Sequence, residues 1–220
     1  MEKRGGQPPS YGFWRMAFKS TIRALVLAML VVAGPALADT YRIVGFGDSL
    51  MAGYQLGPDE GFTPKLQAAL KARGHDVEVV NAGVSGDTTS GGLARLDWSV
   101  PDGTDLVILE LGANDMLRGL SPSITEQNLD RMLAGLKARG IPVVLAGMYA
   151  APNLGEDYAK SFNAIYPALA QKYGAPLIGF FMEGVAANPA LQLEDGLHPN
   201  PAGVDAMVKN ALPVIEPLIK

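Results

Sequence analysis

The chain of 220 residues contains no cysteine. That excludes a disulfide framework and a thiol nucleophile, and it suits an oxidising compartment without requiring one. Histidine is nearly as scarce, with only His75 and His198, set 123 positions apart. Two such distant imidazoles with no thiolate beside them argue against a zinc site. Basic residues form no stripe, and 18 Lys and Arg stand against 22 Asp and Glu, which argues against nucleic acid as a partner. Three nucleotide and hydrolase signatures are also missing. There is no P-loop and no G-x-S-x-G pentapeptide, and Gly45-Phe46-Gly47 lacks the third glycine of a dinucleotide loop because position 50 is leucine.

What is present first is a leader pattern. Arg15, Lys19 and Arg23 precede an uncharged stretch from Ala24 to Ala38 that closes with Gly34-Pro35-Ala36-Leu37-Ala38. A basic region, an apolar core, a helix breaker and an A-x-A end make a secretory signal peptide. The stretch is shorter than the ~20 residues a bilayer-spanning helix needs, so an uncleaved anchor is the weaker reading. Residues 1–38 are expected to be removed after Ala38, with Met16 as a second candidate start. Residues 39–220 then form one domain carrying 13 Lys and Arg against 21 Asp and Glu, a formal charge of −8. That length is enough to bury a core of its own.

From Asp39 onward, short apolar runs alternate with longer helical patterns, which predicts an α/β fold with a parallel sheet covered on both faces. Strands are expected at 41–46, 77–81, 106–111, 143–148 and 177–178. Helices are expected at 62–73, 89–96, 122–139, 158–172 and 201–218, the last disturbed by Pro213 and Pro217. Ser121-Pro122 and Asn200-Pro201 read as N-caps followed by proline at the first helical position. Open parallel sheets bind ligands at the carboxyl ends of their strands. Ser49, Gly83, Asn114 and the segment from Asp195 to His198 all fall just past such ends or in the C-terminal loop, so they are expected to share one rim.

The chemistry of that rim follows from residue type. Gly47-Asp48-Ser49-Leu50 directly after a strand puts a serine at a helix start, over the open sheet edge. Serine needs a base to take its proton, and that base needs a carboxylate to orient it. His198 is the candidate base and Asp195, three residues earlier, the candidate acid, brought together by one helical turn. Acyl transfer also needs donors for the developing oxyanion. The Ser49 N–H at a helix start, the Gly83 N–H and the Asn114 side-chain amide are the candidates. Asp48 reads as a local cap, Asp87 and Asp115 as loop braces to backbone amides, and His75 as part of a surface connection.

These four blocks, Gly47-Asp48-Ser49-Leu50, the Gly83 block, Gly112-Ala113-Asn114-Asp115 and Asp195 to His198, resemble the GDSL or SGNH hydrolases. The likeness runs over the whole of residues 39–220 and is nearest to the bacterial periplasmic branch with thioesterase, lysophospholipase and arylesterase activities. It implies a flavodoxin-like three-layer α/β/α sandwich with a five-stranded parallel sheet. It also implies a Ser49-His198-Asp195 triad, an oxyanion hole from Ser49, Gly83 and Asn114, and neither metal nor organic cofactor. Two departures stand out. Met51 replaces a residue that is often small and polar, and is expected to narrow the mouth of the site. The segment from Tyr149 to Asp157, which resembles a mobile acyl-binding loop, is acidic. Leu50, Met51, Pro152 and Leu154 are the expected substrate contacts.

A polyanionic thioester such as acyl-coenzyme A suits a domain of charge −8 poorly, with Glu156 and Asp157 in that segment. Uncharged aryl esters, short to medium acyl esters and lysophospholipids are the expected substrates, and the product is expected to be secreted or periplasmic. Two alternatives stay open: a carbohydrate acetylesterase on the same scaffold, and a binding module without catalysis.

Overall fold

The computed structural model describes residues 40–220, together with Met1, Gly5 and Gly6. The expected signal peptide lies outside the described residues. Among the described residues, no helix is long and apolar enough to cross a membrane.

Within the described residues, five strands form one parallel sheet: β1 (Tyr41–Gly47), β2 (Val77–Gly83), β3 (Leu106–Glu110), β4 (Val143–Ala146) and β5 (Leu177–Ile178). Their order across the sheet is β2-β1-β3-β4-β5, the flavodoxin-like arrangement. The strand order therefore reverses between β1 and β3, and the crevice beyond their carboxyl ends is where the site lies. Among the described residues, eight α-helices connect and cover the strands: α1 (Ser49–Ala52), α2 (Phe62–Ala72), α3 (Thr89–Ser99), α4 (Ala113–Leu117), α5 (Pro122–Ala138), α6 (Glu156–Asn163), α7 (Ile165–Tyr173) and α8 (Pro201–Ile215). Helix α2 packs on α8, while α5 packs on both α3 and α7, giving a helical layer on each side.

The strands are apolar because both faces are covered. Ile43, Val44, Phe46, Val107, Ile108 and Leu109 have no exposed surface. All five expected strands are present, with ends displaced by up to two residues. The expected helix over 158–172 is two helices that meet at Ala164. Pro167, in the first turn of α7, has no N–H to donate to the carbonyl of Asn163, which ends the first helix there. Pro213 is carried inside α8, and the chain passes into a 3₁₀ turn at Glu216–Leu218 directly after it. Asn200 caps α8 by accepting from the Gly203 N–H at 3.0 Å. Ser121 sits at the N-cap of α5, but its hydroxyl pairs with Ser123 instead.

Candidate active site

Strand β1 ends at Gly47, and the chain turns at once into α1, whose first residue is Ser49. Asp48 makes that turn. Its Oδ1 accepts the Leu50 N–H at 3.1 Å and its carbonyl accepts the Ala52 N–H at 2.9 Å. The Ser49 N–H is left with no partner among the described residues. Its hydroxyl lies 2.9 Å from Nε2 of His198.

The segment carrying His198 is held by Asp195. One carboxylate oxygen accepts the N–H groups of Leu197 at 2.9 Å and His198 at 3.0 Å, and the other meets His198 Nδ1 at 2.5 Å. The expected helical turn is therefore a turn wound about the Asp195 side chain, with Gly196 at φ +65. Its far side is fixed by the Leu193 N–H to the His198 carbonyl at 2.8 Å and by a bridge between Gln192 and Pro199. Partial burial pushes the Asp195 carboxyl up, but the His198 and Leu197 N–H groups and the imidazole outweigh it and bring it down to about 2. An ionised Asp195 holds the proton on Nδ1, which leaves Nε2 as the acceptor facing Ser49. Tyr54 covers the imidazole, with ring centroids 4.5 Å apart.

Asn114 reaches the same crevice from α4, just past the end of β3. Its Nδ2 donates one hydrogen to Asp48 Oδ2 at 3.0 Å, leaving the second for a ligand. A cleft of about 660 Å³ opens beside Ser49, Asn114 and His198. Leu50 and Pro152 line it, as do Met116, Met148, Tyr149 and Phe180, so the wall is chiefly apolar.

Three expected residues take other places. Met51 is fully buried and points beneath β1, where its sulfur packs against Gly45. It lines the core, since Leu50 and Met51 stand on different sides of one helical turn, and does not narrow the mouth. Leu154 is half-buried against the core and off the cleft wall. A 3₁₀ turn over Pro152–Leu154 spreads successive side chains by a third of a circle, so Pro152 faces the cleft and Leu154 does not.

Gly83 is the third. Its N–H is already donated to Asn81 Oδ1 at 2.9 Å, and a Cβ there would stand 2.3 Å from the Ala52 nitrogen. The glycine lets β2 approach α1, which is a packing role. The turn that follows holds a better donor. Gly86, at φ +84, has its carbonyl tied to Arg118 beside α4 at 2.7 Å, and its own N–H has no partner among the described residues.

Arg95 and Glu110 escaped the reading from sequence. Arg95 is buried, pairs with Asp87 at 2.6 Å and donates to the carbonyls of Gly47 and Ala82 at 2.8 Å each, tying the ends of β1 and β2 together. Asp87 therefore braces its loop through a guanidinium. Asp115 accepts both the N–H and the hydroxyl of Thr89. Glu110 is a carboxyl inside an apolar run, and that contrast was the signal available. Among the described residues, no cluster of His, Cys, Asp and Glu has the shape of a metal site. His75 lies at the turn between α2 and β2 and meets Glu216 at 3.1 Å.

A serine backed by an imidazole and a carboxylate, with free amide donors and an apolar cleft alongside, defines a serine hydrolase of the three-layer α/β class. Comparison with known proteins agrees. Residues 46–206 match the GDSL-like Lipase/Acylhydrolase family. An arylesterase from Vibrio mimicus is 41% identical over 181 residues, covering 82% of this chain and 90% of that protein. Esterase TesA from Pseudomonas aeruginosa is 38% identical over 203 residues, covering 90% of this chain and all of its own. The crystal structure of AlinE4, an SGNH-hydrolase family esterase, superposes with a TM-score of 0.70 at 45% identity, over 84% of this chain and all of that one. The chain belongs to the GDSL-like lipase and acylhydrolase family, and it is a serine esterase.

Proposed function

We propose that Ser49 is the nucleophile, His198 the general base and Asp195 its orienting acid, in an enzyme that cleaves uncharged aryl esters and short to medium acyl esters. The observation that carries this reading is the unbroken path from Ser49 Oγ through both nitrogens of His198 to Asp195 at the mouth of an apolar cleft. In the first half-reaction the Ser49 oxygen bonds to the acyl carbon while its proton passes to His198 Nε2. The carbonyl π pair moves onto oxygen, where the N–H groups of Ser49 and Gly86 and the Asn114 amide are the proposed donors. Collapse of this intermediate breaks the ester C–O bond, and His198 returns the proton to the leaving alcohol. Water then adds to the acyl-enzyme with the same base, releasing the acid and restoring Ser49.

The cleft wall of Met, Leu, Tyr and Phe side chains favours an alkyl or aryl acyl group over an acetylated sugar, whose hydroxyls would go unpaired there. We also propose that residues 1–38 direct secretion and are removed, which makes the working domain secreted or periplasmic. A single mass spectrum tests both parts. A phosphonate ester is expected to add once, on Ser49, to a chain beginning at Asp39, and Ser49→Ala to take up none while keeping its circular dichroism. Labelling at another residue, or ester turnover retained in Ser49→Ala, would refute the nucleophile.

A further inference from the structure

The proposed mechanism leaves one buried acid unused. Glu110 is the last residue of β3 and is entirely buried. Its strand partner is Gly47, and a Cβ on that glycine would come within 2.4 Å of Glu110 Oε2, so the bare backbone is what admits the carboxyl under the nucleophile turn. Oε2 accepts the Asp48 N–H at 3.1 Å, and Oε1 has no partner among the described residues. Asp48 is itself without exposed surface, with one oxygen on the Leu50 N–H and the other on the Asn114 amide. A continuous line thus runs from a sequestered acid to a side chain on the cleft.

We propose that Glu110 is a positioning residue for ester hydrolysis: it anchors Asp48, and Asp48 fixes which edge of the Asn114 amide faces the substrate. This rests on the reading of Asn114 as an oxyanion donor. A carboxamide has two edges of nearly equal shape and opposite polarity, so its orientation is set by its neighbour. An anionic acceptor at Asp48 holds the NH₂ in place, with its second hydrogen toward the cleft. If Asp48 carried the proton, or swung away, the amide would gain by turning its oxygen to that side and would meet the oxyanion with an acceptor.

Two buried carboxyls in contact do not both ionise. Burial and then the neighbouring Asp48 charge push Glu110 well above its ordinary range, so it keeps the proton. Burial raises Asp48 as well, to about 6, but hydrogen bonds from the Leu50 N–H and the Asn114 amide and the nearby His198 restrain the rise. Tyr166 and Asp115 are the other titratable groups close by, and the Arg95 guanidinium approaches through the Gly47 carbonyl. Of the pair, Asp48 is therefore the carboxyl that ionises first, near pH 6, and Glu110 the one that holds its proton longer.

The test is kinetic epistasis on an aryl ester such as p-nitrophenyl butyrate, with the mature protein. Glu110→Gln, which keeps a neutral side chain able to accept and donate, should stay within about threefold of the wild-type kcat. Glu110→Leu should lower kcat by up to the ~10²–10³-fold seen when one oxyanion donor is lost, with KM unchanged. In an Asn114→Ala background the same Glu110→Leu change should cost less than about threefold, because the residue it positions is gone. A loss undiminished in that background, or a Gln variant as slow as the Leu variant, would overturn the proposal. If Glu110→Leu does not fold, Asp48→Asn in the same two backgrounds carries the comparison: a kcat loss that vanishes without Asn114 supports the line, and one that persists or never arises overturns it. An Asn114→Ala enzyme with normal kcat would instead fail the oxyanion reading, which is a separate outcome.

Discussion

At Ser49 the hydroxyl has an acceptor at 2.9 Å and the acceptor has a carboxylate behind it, so the proposed mechanism gives each of the three groups one task. Replacing His198 by alanine removes the base and should lower kcat by several orders of magnitude, whereas His75→Ala, far along the chain and tied to Glu216, should leave esterase rates within about twofold. Steady-state assays on both variants read the ranking, and the reverse order would unseat His198. Asn114→Ala should raise the barrier by ~2.7–4 kcal/mol, visible in kcat and not KM. At this scale the meeting of Ser49, His198 and Asp195 was legible from sequence, since they are distinctive residue types in short motifs. Gly83 was not, because one N–H among several in a glycine-bearing loop cannot be chosen until its partner is known. The Asn81 side chain made that choice.

The elements were legible where periodicity is strong and blurred where a single residue intervenes. All five strands were expected, but α4 was not, because five residues are too few to show a helical pattern. Pro167 divided one expected helix into α6 and α7. The contact between β2 and α1 has a sharp prediction attached. In Gly83→Ala the new methyl would fall 2.3 Å from the Ala52 nitrogen, against backbone that cannot step aside. Urea unfolding should show a loss of about 1–3 kcal/mol from the overpacking alone, with ester turnover reduced because α1 carries Ser49. Unchanged stability would mean that β2 and α1 can separate freely. The same element, α1, accounts for Met51: a four-residue helix can turn only one face to the cleft, and Leu50 has it.

Over the whole molecule, charge and burial set how stability responds to pH. Asp195 is depressed to about 2 from 3.8, so its ionised form stabilises the fold above about pH 4, and that contribution is lost as pH falls toward 2. Asp48 works in the other sense. Its carboxyl is raised to about 6, so it costs nothing below about pH 4, and its charging destabilises the fold progressively as pH rises from there through 6. Glu110, raised for the same reason, contributes a slope of the same sign, so chemical denaturation of Asp48→Asn at pH 4 and pH 7 should show a shallower downward slope than the wild type, whatever the variant's absolute stability. A slope equal to the wild type's would locate the titration elsewhere. The expected charge of −8 for residues 39–220 belongs to this scale too, and disfavours polyanionic substrates in a salt-dependent way.

Residue chemistry and hydrophobic periodicity are local properties, so the order of strands and helices, the parallel sheet and the identities of Ser49, His198 and Asp195 could be read along the chain. Direction and proximity are not local. Whether Met51 faces the cleft or the core, and that Glu110 takes the N–H of the Asp48 that holds Asn114, depended on β1 and β3 lying side by side with Gly47 opposite Glu110. Folding sets those neighbours at a range of 60 residues or more, and desolvation at close contact then sets their charge.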